Sequence, residues 1–147
     1  VGLLVANILY VHSIMDSAPD KSVGKMSLAV LLGTPRRMLA CLAVFLAGPY
    51  LLVLSFAAAG IVPSAYCATL LIAPLSVILF NSMLDFVRGR PVNPERYRLI
   101  APMENWDGIK KAGIDWFMCR WFLSRNTLIY FCIIIASVTL YLRAAAR

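Results

Sequence analysis

Long stretches of this chain carry no charge, and that constrains its fold more than anything else in it. Met38 to Ala59, Ala65 to Leu84 and Asn126 to Leu142 contain no Asp, Glu, Lys or Arg. Crossing a hydrocarbon core about 30 Å thick takes ~17–25 residues of helix. In lipid the backbone N–H and C=O groups must be satisfied within the protein, which leaves helices or closed barrels. The β-branched run Ile133-Ile134-Ile135 in the last stretch is read as helix for this reason, since a lone strand leaves its backbone unpaired. The expected fold class is all-α, a multi-span transmembrane helical bundle.

Composition agrees. Hydrophobic residues make up 61% of the chain and charged residues 14%, against about 45–50% and roughly 25% in soluble domains. The formal net charge is +7. Its basic residues gather between the apolar runs, where a membrane chain meets headgroups, so membrane lipids are the expected surroundings. Aromatic and basic residues do not interleave as on a nucleotide-binding face, and nucleic acid is not expected as a partner. Cys41, Cys67, Cys119 and Cys132 form no CxxC pair and read as small buried hydrophobes.

The apolar stretch Val1 to Val11 rises only about 16 Å as a helix. It is too short to span, and no basic region precedes it as in a signal peptide. Residues 1–15 are expected to be the stub of a truncated helix in the carboxy-terminal part of a longer membrane protein. An Asp-rich loop over 16–35 follows, then helices at about 38–59, 65–84 and 126–142. Gly48-Pro49 inside the first span predicts a kink or a narrow packing point. Asn81 in the second is expected to contact a neighbouring helix. Residues 85–125 are expected to be an amphipathic, interfacial region. Pro91, Pro94 and Pro102 break it, and Trp106, Trp116 and Trp121 mark headgroup depth. Arg36, Arg37 and the charges of 85–125 lie on one side of the spans and the uncharged Gly60–Ser64 turn on the other. The positive-inside rule then places the charged loops in the cytoplasm or its organellar equivalent.

The segment His12 to Gly33 carries the candidate chemistry. His12, Asp16 and Asp20 follow one another at four-residue steps, the spacing of one helix face. Two carboxylates so spaced can share a cation, and hard oxygen ligands suit Mg²⁺ joined to a diphosphate. Lys21 and Lys25 add positive charge, and Gly24 permits a close approach of backbone to ligand. A structural reading stands beside this one. Ser17-Ala18-Pro19-Asp20 has the form of a capping box with an early Pro, and the lysines can be plain surface charges.

The segment resembles the second aspartate-rich motif of the UbiA superfamily of intramembrane prenyltransferases. The shared pattern is a polar residue, Asp and Asp at four-residue steps, then Gly-Lys, then a hydroxyl-leucine-alanine run ending in Gly. Here it is His12, Asp16, Asp20, Gly24-Lys25, Ser27-Leu28-Ala29 and Gly33. His12 stands where many relatives have Asn, and Pro91–Pro102 has no clear counterpart. The resemblance implies the carboxy-terminal portion of a UbiA-like fold. It implies Mg²⁺-dependent transfer of a prenyl group from an isoprenoid diphosphate to an aromatic or other lipophilic acceptor. Asp16 and Asp20 would hold the metal, Lys25 would contact the diphosphate, and His12 and Lys21 would line the donor site. An opposing aspartate-rich motif is expected upstream, in missing N-terminal helices, so the isolated 147 residues are expected to be inactive. Other readings are a terpene cyclase of the same superfamily, and a transporter or structural subunit without catalysis.

Overall fold

A computed structural model of the chain describes residues 1–91, 93–97, 100 and 105–146. Arg98, Pro102, Glu104 and Arg147 lie outside the described residues. Every regular element among the described residues is helical. Helix α1 is Gly2–Met15, α2 is Ser17–Ser22, α3 is Leu28–Leu32 and α4 is Pro35–Ala58. A 3-10 segment, Ser64–Ile72, leads into α5, Ala73–Val87. A short 3-10 turn at Pro94–Tyr97 precedes α6, Trp106–Lys111, and α7, Asp115–Ala145. Three of these stretches, Pro35–Ala58, Ser64–Val87 and Asp115–Ala145, are long and apolar enough to cross a membrane.

The long elements form an up-and-down bundle of four. On α1 and α4, the Tyr10 hydroxyl donates to the Met38 carbonyl at 3.0 Å, while Leu3 lies against Gly48. On α4 and α5, the Tyr50 and Ser76 hydroxyls meet at 2.9 Å. The third span and α7 are tied at opposite ends, by Arg120 to the Ser82 carbonyl and by Tyr66 to Thr139. The fourth seam joins α1 to α7, where Asn7 Nδ2 donates to Ser124 Oγ at 2.8 Å. Each seam is antiparallel. The end of α1, the start of α4, the end of α5 and the start of α7 therefore share one end of the bundle. The main core lies toward that end, around Val11, Ile14, Leu42, Leu79, Met83 and Leu123. A smaller cluster of Leu4, Tyr50 and Phe131 lies toward the other.

The outside is as apolar as the inside. Leu71 is 76% exposed, Leu51 60% and Ile133 53%. Exposed side chains of this kind along three span-length helices suit hydrocarbon rather than water. Packing between helices then depends on close contact and hydrogen bonds more than on burial of apolar area. Gly48 shows the close contact, because a Cβ there would stand 2.8 Å from Leu3 Cδ1. The Gly48-Pro49 pair thus acts as a narrow packing point within a helix that continues to Ala58.

Several boundaries differ from the sequence reading. Residues 16–35, read as a loop, contain α2 and α3. Helix α4 starts at Pro35, whose missing N–H costs nothing in a first turn, and Thr34 Oγ1 caps the Arg37 N–H at 3.5 Å. The second span is 3-10 up to Ile72. Pro74 offers no donor to the Leu70 carbonyl, which accepts from the Ala73 N–H instead. The last helix begins at Asp115, not Asn126. Arg120 and Arg125 do not interrupt it, because backbone carbonyls, Asn126 and aromatic faces receive their guanidinium groups. The region 85–125, read as interfacial, is accordingly divided: α6 stops at Lys111, and Trp116 and Trp121 belong to the membrane-length helix α7. A Glu95 bridge to Lys110 (2.6 Å) and to the Trp106 indole (3.1 Å) ties α6 to the preceding turn. That carboxylate holds the exposed Lys110 ammonium above the usual lysine range. Asn81 is exposed in this chain. The buried asparagines are Asn7 and Asn126, the latter donating to the Ile100 carbonyl.

If Asn7 and Ser124 hold α1 to α7, a double-mutant cycle of Asn7→Ala and Ser124→Ala should give a coupling of about 0.6 kcal/mol, with ~1.7 as the upper range for such bonds. Thermal unfolding in detergent measures it, and strictly additive single mutants would remove this seam from the account.

Candidate functional site

The aspartate-bearing segment grows out of the end of α1. The backbone bond from the Asp16 N–H to the His12 carbonyl is 2.8 Å, and that from Asp20 to Asp16 is also 2.8 Å. Helical steps of four thus run from His12 through Asp16 to Asp20. The break between α1 and α2 falls at Asp16 itself, whose ψ is 3°. Pro19 sits within the first turn of α2, where its missing N–H leaves no bond unmade.

Helix α2 ends in a way that sets the charges. Gly24 has φ +73°, the left-handed conformation that glycine adopts without a Cβ clash. Its N–H reaches the Lys21 carbonyl at 3.3 Å, and the Lys25 N–H reaches the Asp20 carbonyl at 2.9 Å. This pair of bonds is a Schellman motif, which brings the residue after the glycine back over the one five positions earlier. The usual contact there is apolar. Here it is an ion pair, with Lys25 Nζ 3.0 Å from Asp20 Oδ1. Asp20 is buried and its side chain is 10% exposed, while that of Lys25 is 65% exposed. The carboxylate is held and the ammonium reaches outward.

The capping box expected at Ser17–Asp20 does not form. Asp16, not Ser17, is the N-cap of α2, and no side chain caps this helix. The Ser17 hydroxyl instead donates back to the Ile14 carbonyl at 2.8 Å. The cap that does form is at α3 and comes from another helix. Ser13 Oγ of α1 accepts the Ala29 N–H at 3.1 Å, the bond that the N-cap Ser27 would ordinarily take. Ser27 Oγ is left buried without a partner. The segment is thereby pinned to α1 at Ser13, and Gly33 closes α3 in a left-handed conformation.

The sequence candidates separate into two groups. Asp16, Asp20 and Lys25 lie on one helix end and its cap. Asp16 is half-buried, and its carboxylate makes no hydrogen bond or ion pair among the described residues. His12 is turned away from them. Its ring packs against Phe117 and Trp121 of α7, with centroids at 5.2 and 6.2 Å, and its Nε2 is buried without a partner. His12 therefore docks α1 on α7 and makes no hydrogen bond to Asp16 or Asp20. Lys21 is exposed and unpaired among the described residues.

These residues fit a shared Mg²⁺ site better than a dedicated cage. Among the described residues no group of three or more His, Cys, Asp or Glu side chains could hold a metal. Mg²⁺ commonly takes only one or two protein carboxylates and completes its shell with water and substrate phosphates. Asp16, and the Asp20 oxygen not used by Lys25, are hard donors of the right kind.

The sequence reading missed a second cluster at the same end of the bundle. Asp85, Gly89 and Arg90 repeat the spacing of Asp20, Gly24 and Lys25. Gly89 has φ +67°, the Arg90 N–H bonds the Asp85 carbonyl at 2.9 Å, and Arg90 Nη1 lies 3.6 Å from Asp85 Oδ1. The signal was present as Asp, then Gly-Arg, at identical steps. Arg120, only 2% exposed, lies beside this cap, a placement that the spacing of α7 does not disclose.

Comparison with protein-family models, with curated proteins and with solved structures finds no match to this chain. The fold and the two helix caps thus define a class only: an all-α chain with three membrane-length helices and a polar, charged end.

Gly24→Ala should strain the left-handed cap and lower stability by about 1 kcal/mol or more, whereas Val23→Ala at the adjacent exposed position should stay within ~0.5. Thermal unfolding in detergent distinguishes them, and equal midpoints would show that the cap does not hold Lys25 in place.

Proposed function

We propose that this chain supplies one half of the donor site of a Mg²⁺-dependent intramembrane prenyltransferase, acting on an isoprenoid diphosphate and a lipophilic acceptor. The observation that carries the reading is the helix end at Asp16–Lys25. Two carboxylates stand one turn apart, and one of them is fixed by a lysine whose charge reaches outward. A solvated surface loop has no need to bury Asp20 or to anchor its neighbour through Ser13.

In this reading Asp16 and the second oxygen of Asp20 hold the metal. When bound, Mg²⁺ supplies Lewis-acid neutralisation of the diphosphate as the allylic C–O bond ionises. Lys25 contributes a positive charge fixed before substrate arrives, which favours the leaving group without later reorganisation. Its bond to Asp20 Oδ1 also orients that carboxylate, so Lys25 positions a ligand as well as meeting the donor. His12 acts at one remove by holding α1 on α7. The exposed Lys21 is placed to attract an anion to this end. Arg36, Arg37, Arg88 and Arg90 are exposed here too, and the positive-inside rule puts this face in the cytoplasm or its organellar equivalent.

Purified full-length protein tests this through Mg²⁺-dependent release of diphosphate from an isoprenoid diphosphate. Asp16→Asn and Asp20→Asn are each expected to lower release by more than ~100-fold, beyond the range usual for outer-shell partners, with membrane insertion unchanged. Parent-level release from both variants would take the two aspartates out of the site.

A further inference from the structure

Arg120 is the largest fully buried side chain among the described residues, and none of them forms an ion pair with it; the nearby Asp85 carboxylate attracts it without direct contact. Its Nε and Nη2 donate to the Ser82 carbonyl at 3.2 and 3.3 Å, and its Nη1 donates to the Trp116 carbonyl. Its guanidinium carbon lies 5.0 Å from the centre of the Phe86 ring. These contacts satisfy three of its five N–H donors. They supply dipoles and a π face, but no negative charge. The ion pairs formed by described residues are Lys25–Asp20, Arg90–Asp85 and Lys110–Glu95, and none includes Arg120. A buried guanidinium without a counter-ion is costly, the more so beside hydrocarbon.

Arg120 also lines a cleft of about 380 Å³, together with Phe86, Gly89, Arg90, Pro91 and Trp116. Trp116 stacks on Phe86 with an interplanar angle of 2°, which makes one wall flat and apolar. The Gly89 cap brings Arg90 to the cleft, where its side chain is 62% exposed and only loosely paired to Asp85. The cleft thus has a buried guanidinium with N–H groups to spare, an exposed guanidinium in reach of water, and an apolar wall between them. Guanidinium groups bind phosphate oxygens through paired, charge-assisted bonds. The wall suits the carbon chain of an ester.

We propose that this cleft binds a phosphate group, with Arg120 as its buried counter-ion and Arg90 as the second cation. The phosphate is carried either by an anionic lipid headgroup at the interface or by a soluble phosphate ester. The site is distinct from the Asp16–Lys25 helix end and requires no metal. Bound phosphate also bridges the end of α5 to the start of α7, so occupancy stiffens the seam that Arg120 already makes with Ser82.

The test uses purified full-length protein in maltoside detergent, without Mg²⁺. One arm titrates inorganic phosphate by calorimetry. The other adds phosphatidylcholine alone, or an equal mixture of phosphatidylcholine and phosphatidylglycerol, and reads retained lipid by native mass spectrometry. Saturable binding in the first arm identifies a soluble source, and selective retention of phosphatidylglycerol identifies a lipid source. Either supports the site if Arg120→Gln weakens it by roughly 30-fold or more. If that variant does not fold, Arg90→Glu decides: it lies at an exposed turn, and should weaken binding about tenfold. Arg143→Gln, at the opposite end, should leave binding unchanged. Absence of binding in both arms overturns the proposal. So does binding that is as strong in the Arg90→Glu and folded Arg120→Gln proteins as in the parent.

Discussion

At the charged end of this bundle, α2 and α5 stop on left-handed glycines, and much of the remaining structure depends on how those stops are made. The last carbonyls of a helix need donors. Gly24 and Gly89 provide them by turning the chain so that the next N–H reaches back five residues. The same turn carries the next side chain back over the helix. After Gly24 and Gly89 that side chain is a cation, and the position it meets is an aspartate. The result is two helix ends with an internal ion pair each, Lys25–Asp20 and Arg90–Asp85. Helices α4 and α6 end with the same bonds at Gly60 and Gly113, but there the residues concerned are Ile61 over Phe56 and Ile114 over Ile109. The backbone device is common to all four; side-chain chemistry makes two of them polar.

Along the spans the controlling condition is different. Lipid-facing surfaces are as apolar as the core, so sorting oil from water says little about which helix lies beside which. Single polar pairs do that work: Asn7 with Ser124, Tyr50 with Ser76, Tyr66 with Thr139, and Arg120 with the Ser82 carbonyl. Each joins neighbours around the bundle and fixes their relative height. The candidate donor site inherits its position from these ties. Helix α1 leads into Asp16 and pins α3 through Ser13, and it is held against α7 by Asn7 and by the packing of His12 on Phe117 and Trp121.

The all-helical, membrane-length character of the chain was legible in the sequence because it rests on local conditions. A run of about twenty uncharged residues has few ways to satisfy its backbone in lipid. The four-residue steps of His12, Asp16 and Asp20 were legible too, since they follow from helical geometry. The fate of His12 was not. Its spacing puts it in line with the aspartates, but α7 supplies aromatic rings that draw it to another neighbour. The capping box failed for a related reason: Ser17 found a closer acceptor in the Ile14 carbonyl, and Asp16 took the cap position.

The start of α7 shows most plainly what one dimension can and cannot determine. The sequence placed the last span at about 126–142 and left Arg120 and Arg125 in the interfacial region before it. Only the folded chain brings the Ser82 carbonyl and the Phe86 ring to Arg120, and a guanidinium given those partners can remain inside a continuous helix. By itself the sequence determined that the chain is helical, that three segments are long and apolar enough to span, and that Asp16 and Asp20 stand one helical step apart. The tertiary structure alone decided which polar groups find partners, because a partner thirty-eight residues away along the chain leaves no mark in local spacing.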